Sequence, residues 1–152
     1  MAHELEIVNG NAQMAYVGDV PWHGLGTKVP ADLTPEQFMV KAGLDWTVEK
    51  EDILTRSGIK VKNKQALVRS SDGSILDVVG TGWNPVQNSE AFNFFEEYVN
   101  AGDMEMHTAG SLKDGQMVWA LAKTKDSFEL FNGDQTDNYF LFTNPHQFGK
   151  AI

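Results

Sequence analysis

Residues 59–79 read IKVKNKQALVRSSDGSILDVV, and this stretch decides the fold. Its first part, Ile59 to Arg69, alternates apolar and polar residues, and the turn-forming residues Ser71 to Ser74 follow. The β-branched run Ile75 to Val79 completes a pattern that is typical of a β-hairpin. Upstream, Trp46 to Thr55 has the composition of another strand. The sequence therefore predicts an antiparallel meander of three strands.

A helix is predicted before this meander, where Thr34 precedes a proline. Thr34 and Gln37 form the T-x-x-Q pattern of a capping box, and Pro35 suits the first helical position. Gly43 is expected to end this helix because glycine readily adopts the left-handed conformation of a C-terminal cap.

A second helix is predicted after the meander, with Asn88 or Ser89 as its N-cap and Asn100 near its end. Phe92, Phe95 and Val99 recur at helical spacing, so one face of this helix is expected to pack on a sheet. The element order predicts an α+β fold with a β-β-β-α core, in which two helices pack on antiparallel strands.

Two further hairpins are expected after the second helix. The first joins Met104–Leu112 to Gln116–Lys123, and the second joins Phe128–Phe131 to Tyr139–Thr143 across the turn Asn132-Gly133-Asp134. Both follow the pattern of strand-forming residues on either side of a glycine-containing turn.

The chain is expected to divide into an N-terminal loop segment, residues 1–30, and an α+β domain, residues 31–152. The last residues, Asn144 to Ile152, resemble a loop that leads into another strand. We therefore expect that the domain is truncated at its C-terminus.

The composition limits the classes of protein to which the chain can belong. The net charge is −9 and there is no cysteine, which excludes disulfides, thiolate metal sites and a cysteine nucleophile. The first ten residues lack the features of a signal peptide, and no apolar run reaches the roughly 18 residues of a membrane helix. These features lead us to expect a cytoplasmic protein that does not contact membranes.

The positive charge is concentrated in one segment. Five of the twelve Lys and Arg residues lie within fourteen positions: Arg56, Lys60, Lys62, Lys64 and Arg69. Because side chains alternate along a strand, the three lysines are expected on one face of an exposed hairpin. Two interpretations are open: this face contacts the phosphates of a nucleic acid, or the lysines protect an edge strand from aggregation.

A second candidate site is the loop Ala15 to Gly26, which contains three glycines, a proline and two aromatic residues. Pro21 stiffens the turn that presents Trp22 and His23, so these two residues are candidates for contacting a ligand. The structural alternative is that Trp22 anchors the loop and His23 binds a backbone group. The four histidines lack metal-ligand spacing, and we predict no metal site, no cofactor and no catalytic residue.

Several segments in fixed order resemble a family of phage- and plasmid-encoded proteins known mainly by a domain of unknown function. The segments are Met14-Ala15-Tyr16, Pro21-Trp22-His23-Gly24-Leu25-Gly26, Ala42-Gly43-Leu44-Asp45-Trp46, Ala109-Gly110-Ser111-Leu112, Val118-Trp119-Ala120-Leu121-Ala122-Lys123, Asn144-Pro145-His146-Gln147 and Gly149-Lys150-Ala151. The resemblance implies that the chain corresponds to the N-terminal half of such a protein and takes part in mobile-element DNA metabolism in a bacterial host. A link to single-strand annealing recombinases is inferred from a shared β-β-β-α order.

Three functions are consistent with these features. The first is binding or annealing of single-stranded DNA in recombination or replication, through Arg56 to Arg69. The second is a non-enzymatic, protein-interaction module with an acidic surface, which includes association into a homo-oligomer. The third, an enzyme that uses His23 with a distant carboxylate, has the least support, so a non-enzymatic role is favoured.

Overall fold

The computed structural model describes residues 4–131 and 134–149, and it describes the side chains of these residues outside 126–136. Within these residues, two α-helices and ten strands follow one another. In order, they are β1 (Ile7–Val8), β2 (Asn11–Ala12), β3 (Met14–Tyr16), β4 (Thr27–Lys28), α1 (Pro35–Lys41), β5 (Val48–Leu54), β6 (Lys60–Arg69), β7 (Ile75–Gly80), α2 (Asn88–Asn100), β8 (Met104–Leu112), β9 (Met117–Phe131) and β10 (Asp134–Pro145).

The meander forms as predicted, with β5, β6 and β7 in an antiparallel sheet in that order. The turn between β6 and β7 closes where the amide of Gly73 donates to the carbonyl of Arg69 at 2.8 Å. Gly73 has a φ of +72°, a conformation that a side chain would strain. The turn residues therefore set the register of this hairpin.

A second sheet has five strands in the order β10-β9-β8-β3-β4, antiparallel except for the β3–β4 pair. The sequence predicted separate strands at Gln116–Lys123 and Phe128–Phe131, but from Met117 onward both predicted strands belong to the single long strand β9. Of the predicted turn Asn132-Gly133-Asp134, the first two residues lie outside the described residues, and Asp134 begins β10.

The N-terminal segment, predicted as a loop, contributes the four short strands β1 to β4. Strand β3 is buried along its length and lies between β4 and β8 inside the five-stranded sheet. Ala15, at its centre, is completely buried. Residues 14–16 are therefore part of the core, because β3 lies inside the five-stranded sheet.

The start of α1 agrees with the prediction, whereas the start of α2 does not. Thr34 and Gln37 form the predicted capping box of α1. The N-cap of α2 is Gln87 rather than Asn88 or Ser89, and its amide exchanges hydrogen bonds with the backbone of Val48 at 2.9 and 2.8 Å. Asn88 is thus inside the helix, with its side chain buried.

The two faces of the five-stranded sheet differ. One cross-strand row, made of Ala15, Ala109, Ala120 and Phe142, packs into the main core with both helices. The next row alternates to the opposite face, and it is made of Met14, Gly110, Trp119 and Thr143. Phe92 and Phe95 are buried, which confirms that α2 packs its aromatic residues on this sheet. The fold is therefore α+β, as predicted.

In the part of the chain that the structure describes, no helix combines the length and apolarity needed to cross a membrane.

Candidate functional site

The turn between β5 and β6 is closed by a compact set of hydrogen bonds. The amide of Thr55 donates to the carbonyl of Ile59 at 2.8 Å, and the amide of Gly58 donates to the carbonyl of Thr55 at 2.9 Å. The hydroxyl of Thr55 accepts from the amide of Ile59 at 3.1 Å. Arg56 is exposed within this turn. Its guanidinium is therefore carried on an ordered turn.

Lys60, Lys62 and Lys64 are all exposed on β6. The strict alternation predicted for them is interrupted, because Asn63 has a φ of +62° and lies in a bulge. The bulge begins after Lys60, which pairs with Leu54, and ends at Gln65, which pairs with Asp52. The three lysines therefore share an exposed segment but do not follow one regular pleat.

One carboxylate offsets the charge of this segment. The Nζ of Lys60 lies 3.4 Å from the Oδ2 of Asp52, and the Oδ1 of Asp52 accepts from Gln65 at 3.1 Å. We call the four exposed cations Arg56, Lys60, Lys62 and Lys64 the basic hairpin. With Asp52 included, it keeps an excess of positive charge in a chain whose net charge is −9.

Arg69 does not belong to this surface, although the sequence grouped it with the lysines. It is 4% exposed, and its Nη1 lies 2.6 Å from the Oε2 of buried Glu6. Its Nε and Nη2 donate to the two carboxylate oxygens of Asp72 at 3.1 and 2.7 Å. The guanidinium also lies 5.2 Å from the ring centre of Trp46. Arg69 therefore has its donors directed at internal partners rather than at a ligand.

The ion-pair network of Arg69 connects separate parts of the fold. Glu6 accepts a second hydrogen bond from the hydroxyl of Ser111 in β8 at 3.0 Å. Hydrogen bonding to Arg69 holds the pKa of Asp72 well below its usual range. The pKa of Arg69 is raised by its hydrogen bonds and charge interactions with Asp72 and Glu6, which outweigh burial. The network therefore ties the N-terminal segment to both sheets.

The loop that presents Trp22 and His23 is also ordered by local hydrogen bonds. The amide of Gly24 donates to the carbonyl of Pro21 at 2.8 Å, and the amide of Leu25 donates to the Nδ1 of His23 at 3.0 Å. The rings of Trp22 and His23 meet edge to face with their centres 5.5 Å apart. Trp22 is nevertheless 81% exposed, so its indole is held at the surface rather than in the core.

A cavity of about 400 Å³ lies beside this loop. We call it the indole cleft, because Trp22 from the loop and Trp119 from β9 both line it. Its other walls include Met14 and Thr143, which belong to the sheet face opposite the helices, together with His23. Among the described residues that line it, none is a carboxylate. The cleft therefore suits an uncharged, apolar or aromatic group.

A third surface feature is a group of aromatic rings between α2 and β10. Phe94 stacks on Phe140 with ring centres 5.6 Å apart, and it also contacts Tyr98 at 5.8 Å. All three side chains are exposed, and β10 is an edge strand of its sheet. Such a patch is typical of a contact surface for another protein.

Sequence reasoning missed a buried polar group formed by Asn88 and His146. The Nε2 of His146 lies 2.9 Å from the Oδ1 of Asn88, and the amide nitrogen of Asn88 donates to the carbonyl of Leu44 at 3.0 Å. Burial lowers the pKa of His146 to about 4. The one signal for this group in the sequence is an asparagine at a predicted helix start, a position that is typical of a cap.

The described residues contain no cluster of three or more His, Asp or Glu side chains that could hold a metal ion.

The fold and these sites define an α+β chain with a cationic hairpin and an aromatic cleft. The family described as a domain of unknown function, DUF932, matches residues 75–150, which is half of the chain. The chain belongs to this family. The matched residues include Asn88, Trp119 and His146, whereas the basic hairpin and Trp22 precede them. No curated protein matches the chain, and no solved structure matches it.

Proposed function

We propose that the chain binds single-stranded DNA through the basic hairpin. The observation that supports this most directly is the concentration of four exposed cations on one ordered turn and strand, of which Lys60 pairs with the carboxylate of Asp52. Each phosphate that a lysine or arginine neutralises releases a condensed counterion, which favours binding. A hairpin of this length can follow the backbone of single-stranded DNA. Its bulge at Asn63 turns the lysines away from one regular pleat of β6.

The proposed role is binding or annealing of DNA strands in the recombination or replication of a phage or plasmid, inside the cytoplasm of a bacterial host. An acidic chain suits this role when positive charge is confined to one surface, because the remaining surface then repels non-specific nucleic acid. The alternative, that the lysines protect an edge strand from aggregation, does not fit β6, because β6 lies between β5 and β7 in its sheet. The DNA proposal itself needs a direct test.

The test measures the binding of a fluorescent twenty-nucleotide oligo-dT by anisotropy at low salt. We compare the unaltered chain with a triple variant, Lys60→Glu, Lys62→Glu and Lys64→Glu. The matched control changes three exposed lysines elsewhere to glutamate, and these are Lys41, Lys113 and Lys125. Both variants have the same net charge, so only the position of the change differs.

We expect the hairpin variant to lose binding and the control to keep most of it. Equal loss in both variants would mean that only net charge matters, and it would contradict a hairpin site. Absence of binding by the unaltered chain would overturn the DNA proposal itself.

A second candidate function is a protein-interaction module, which the exposed rings of Phe94, Tyr98 and Phe140 favour. Glu96 and Glu97 lie on the same helix as Phe94 and Tyr98, and they would favour a partner protein with basic residues. Alternatively, the edge strand β10 would pair with the same strand of a second copy of the chain. Sedimentation velocity of the unaltered chain and of Phe94→Ser distinguishes self-association from a monomer. A monomer that binds no DNA would leave contact with a different protein as the remaining form of this candidate.

A further inference from the structure

The five-stranded sheet has one face packed against the helices and one face that carries the indole cleft. Trp119 on β9 lies in register with Gly110 on β8, and Gly110 lies in register with Met14 on β3. A Cβ atom on Gly110 would come 3.0 Å from the Trp119 ring, closer than an ordinary van der Waals contact, so glycine at this position allows the indole to lie close over β8. The position of Trp119 on this face is therefore set by the backbone beneath it.

Trp22 approaches the same face from the loop before β4. Its turn is closed by the bond from Gly24 to Pro21, and the ring is supported edge to face by His23. Holding a large aromatic ring 81% exposed on an ordered turn forgoes the free energy that its burial would give. A ligand that covers the ring recovers this free energy, and the ordered turn reduces the entropy lost on binding.

We propose that the indole cleft holds a base of single-stranded DNA, stacked on Trp22 and facing Trp119. This inference rests on the proposed function, and it assigns a base site in addition to the phosphate contacts of the basic hairpin. Stacking of a base on an aromatic side chain tolerates any base, because every base has a π-face. The cavity volume of about 400 Å³ lies within the range of small-ligand sites and accommodates a single base.

The described lining of the cleft carries no negative charge that would repel an anionic strand. The described residues that line it include no Asp or Glu, although the chain contains twenty-one of them. Lys28 is exposed on β4 and is in register with Tyr16, at the edge of the same sheet. A base in the cleft therefore meets no carboxylate there, and Lys28 is available on this sheet for a neighbouring phosphate.

The experiment separates base contacts from phosphate contacts. Binding of a twenty-nucleotide oligo-dT is compared with binding of an abasic oligonucleotide that has the same number of phosphates, for the unaltered chain, Trp22→Ala and Trp22→Phe. Phe148→Ala is the matched control, because Phe148 is an exposed aromatic residue whose backbone, rather than its ring, binds Asp77. Trp22 is exposed, so circular dichroism is expected to show the same fold in every variant.

We expect Trp22→Ala to weaken oligo-dT binding by about 5-fold to 100-fold, and to leave abasic binding unchanged. Trp22→Phe is expected to keep part of the affinity because a smaller ring still stacks. Equal affinity of the unaltered chain for both oligonucleotides, or no effect of Trp22→Ala, would overturn the base site and leave the hairpin proposal standing.

If the unaltered chain binds neither oligonucleotide, the proposed DNA function fails, and a second measurement still decides the base site. Thymidine and adenosine are then titrated into the chain and followed by saturation-transfer NMR. Nucleoside binding that Trp22→Ala removes would support a base site on a protein that does not bind DNA. No nucleoside binding would overturn the base site as well.

Discussion

The Nε2 atom of His146 lies 2.9 Å from the Oδ1 atom of Asn88, and both side chains are buried. The amide nitrogen of Asn88 donates to Leu44, so Oδ1 is the acceptor and His146 donates from Nε2. The contact connects the residue after β10 to the first turn of α2, across 58 positions of the chain. It therefore fixes the end of the five-stranded sheet to the helix that covers it.

This contact predicts that acid destabilises the fold through His146. In the unfolded chain the pKa of a histidine is about 6.5, whereas burial lowers the pKa of His146 to about 4 in the fold. The unfolded state therefore binds more protons between these values, so this contribution is fully present above about pH 6.5 and is lost as the pH falls toward 4. Between pH 7 and pH 5 the free energy of unfolding should fall by about 2 kcal/mol from this group alone.

Urea denaturation at pH 7 and pH 5 measures this effect in the unaltered chain and in His146→Gln. A glutamine amide can still donate to Asn88 but does not titrate, so its stability should depend less on pH in this range. Asp72 does not interfere, because its pKa is held well below the usual range and its titration falls at lower pH. The same pH dependence in both proteins would contradict the assignment.

Local patterns in the sequence predicted most of the elements, because those elements are determined by nearby residues. The capping box of Thr34 and Gln37 spans four residues, and the turn at Gly73 is closed within five residues. The exposed positions of Lys60, Lys62 and Lys64 likewise follow from the strand and its turns. The secondary structure that depends on residues close together in the sequence was therefore predictable.

The sequence could not predict contacts between distant segments. Arg69 stands next to a run of lysines, yet Glu6, which binds it, is 63 positions away and occurs in a segment that was predicted as a loop. The indole cleft likewise combines Trp22 and Trp119, whose meeting depends on β3 joining the sheet beside β8. A charge cluster in the sequence does not reveal which of its members is needed inside the protein.

The buried position of Arg69 predicts a large loss of stability in Arg69→Met. The substitution keeps the apolar length of the side chain but leaves the carboxylate of Glu6 buried without its cation, which costs about 3–5 kcal/mol. Adding Glu6→Gln should restore part of the loss, because a neutral amide is easier to bury. Chemical denaturation measures both, with Arg56→Met at the exposed turn as a control that should change stability by less than about 0.5 kcal/mol.

The packing of α2 predicts different costs for its two adjacent phenylalanines. Phe95 is completely buried, so Phe95→Ala should lower the free energy of unfolding by about 3–5 kcal/mol. Phe94 is 44% exposed, so Phe94→Ala should cost clearly less. Urea denaturation of the two variants provides the comparison, and similar losses would show that the helix face is misassigned.

The ion pair between Asp52 and Lys60 gives a test of the DNA proposal in which binding should improve. Asp52 is the carboxylate that offsets the basic hairpin, at 3.4 Å from the Nζ of Lys60. Asp52→Asn removes its charge and keeps an oxygen that can accept from Gln65. We expect tighter binding of oligo-dT, because Lys60 is then released to neutralise a phosphate. The log–log dependence of affinity on salt should become steeper by up to about 0.7.

Glu97→Gln on α2 makes the same change of charge away from the hairpin, and it should change neither the affinity for oligo-dT nor its salt dependence appreciably. Equal gains in both variants would show that net charge, rather than the hairpin, sets the affinity for DNA.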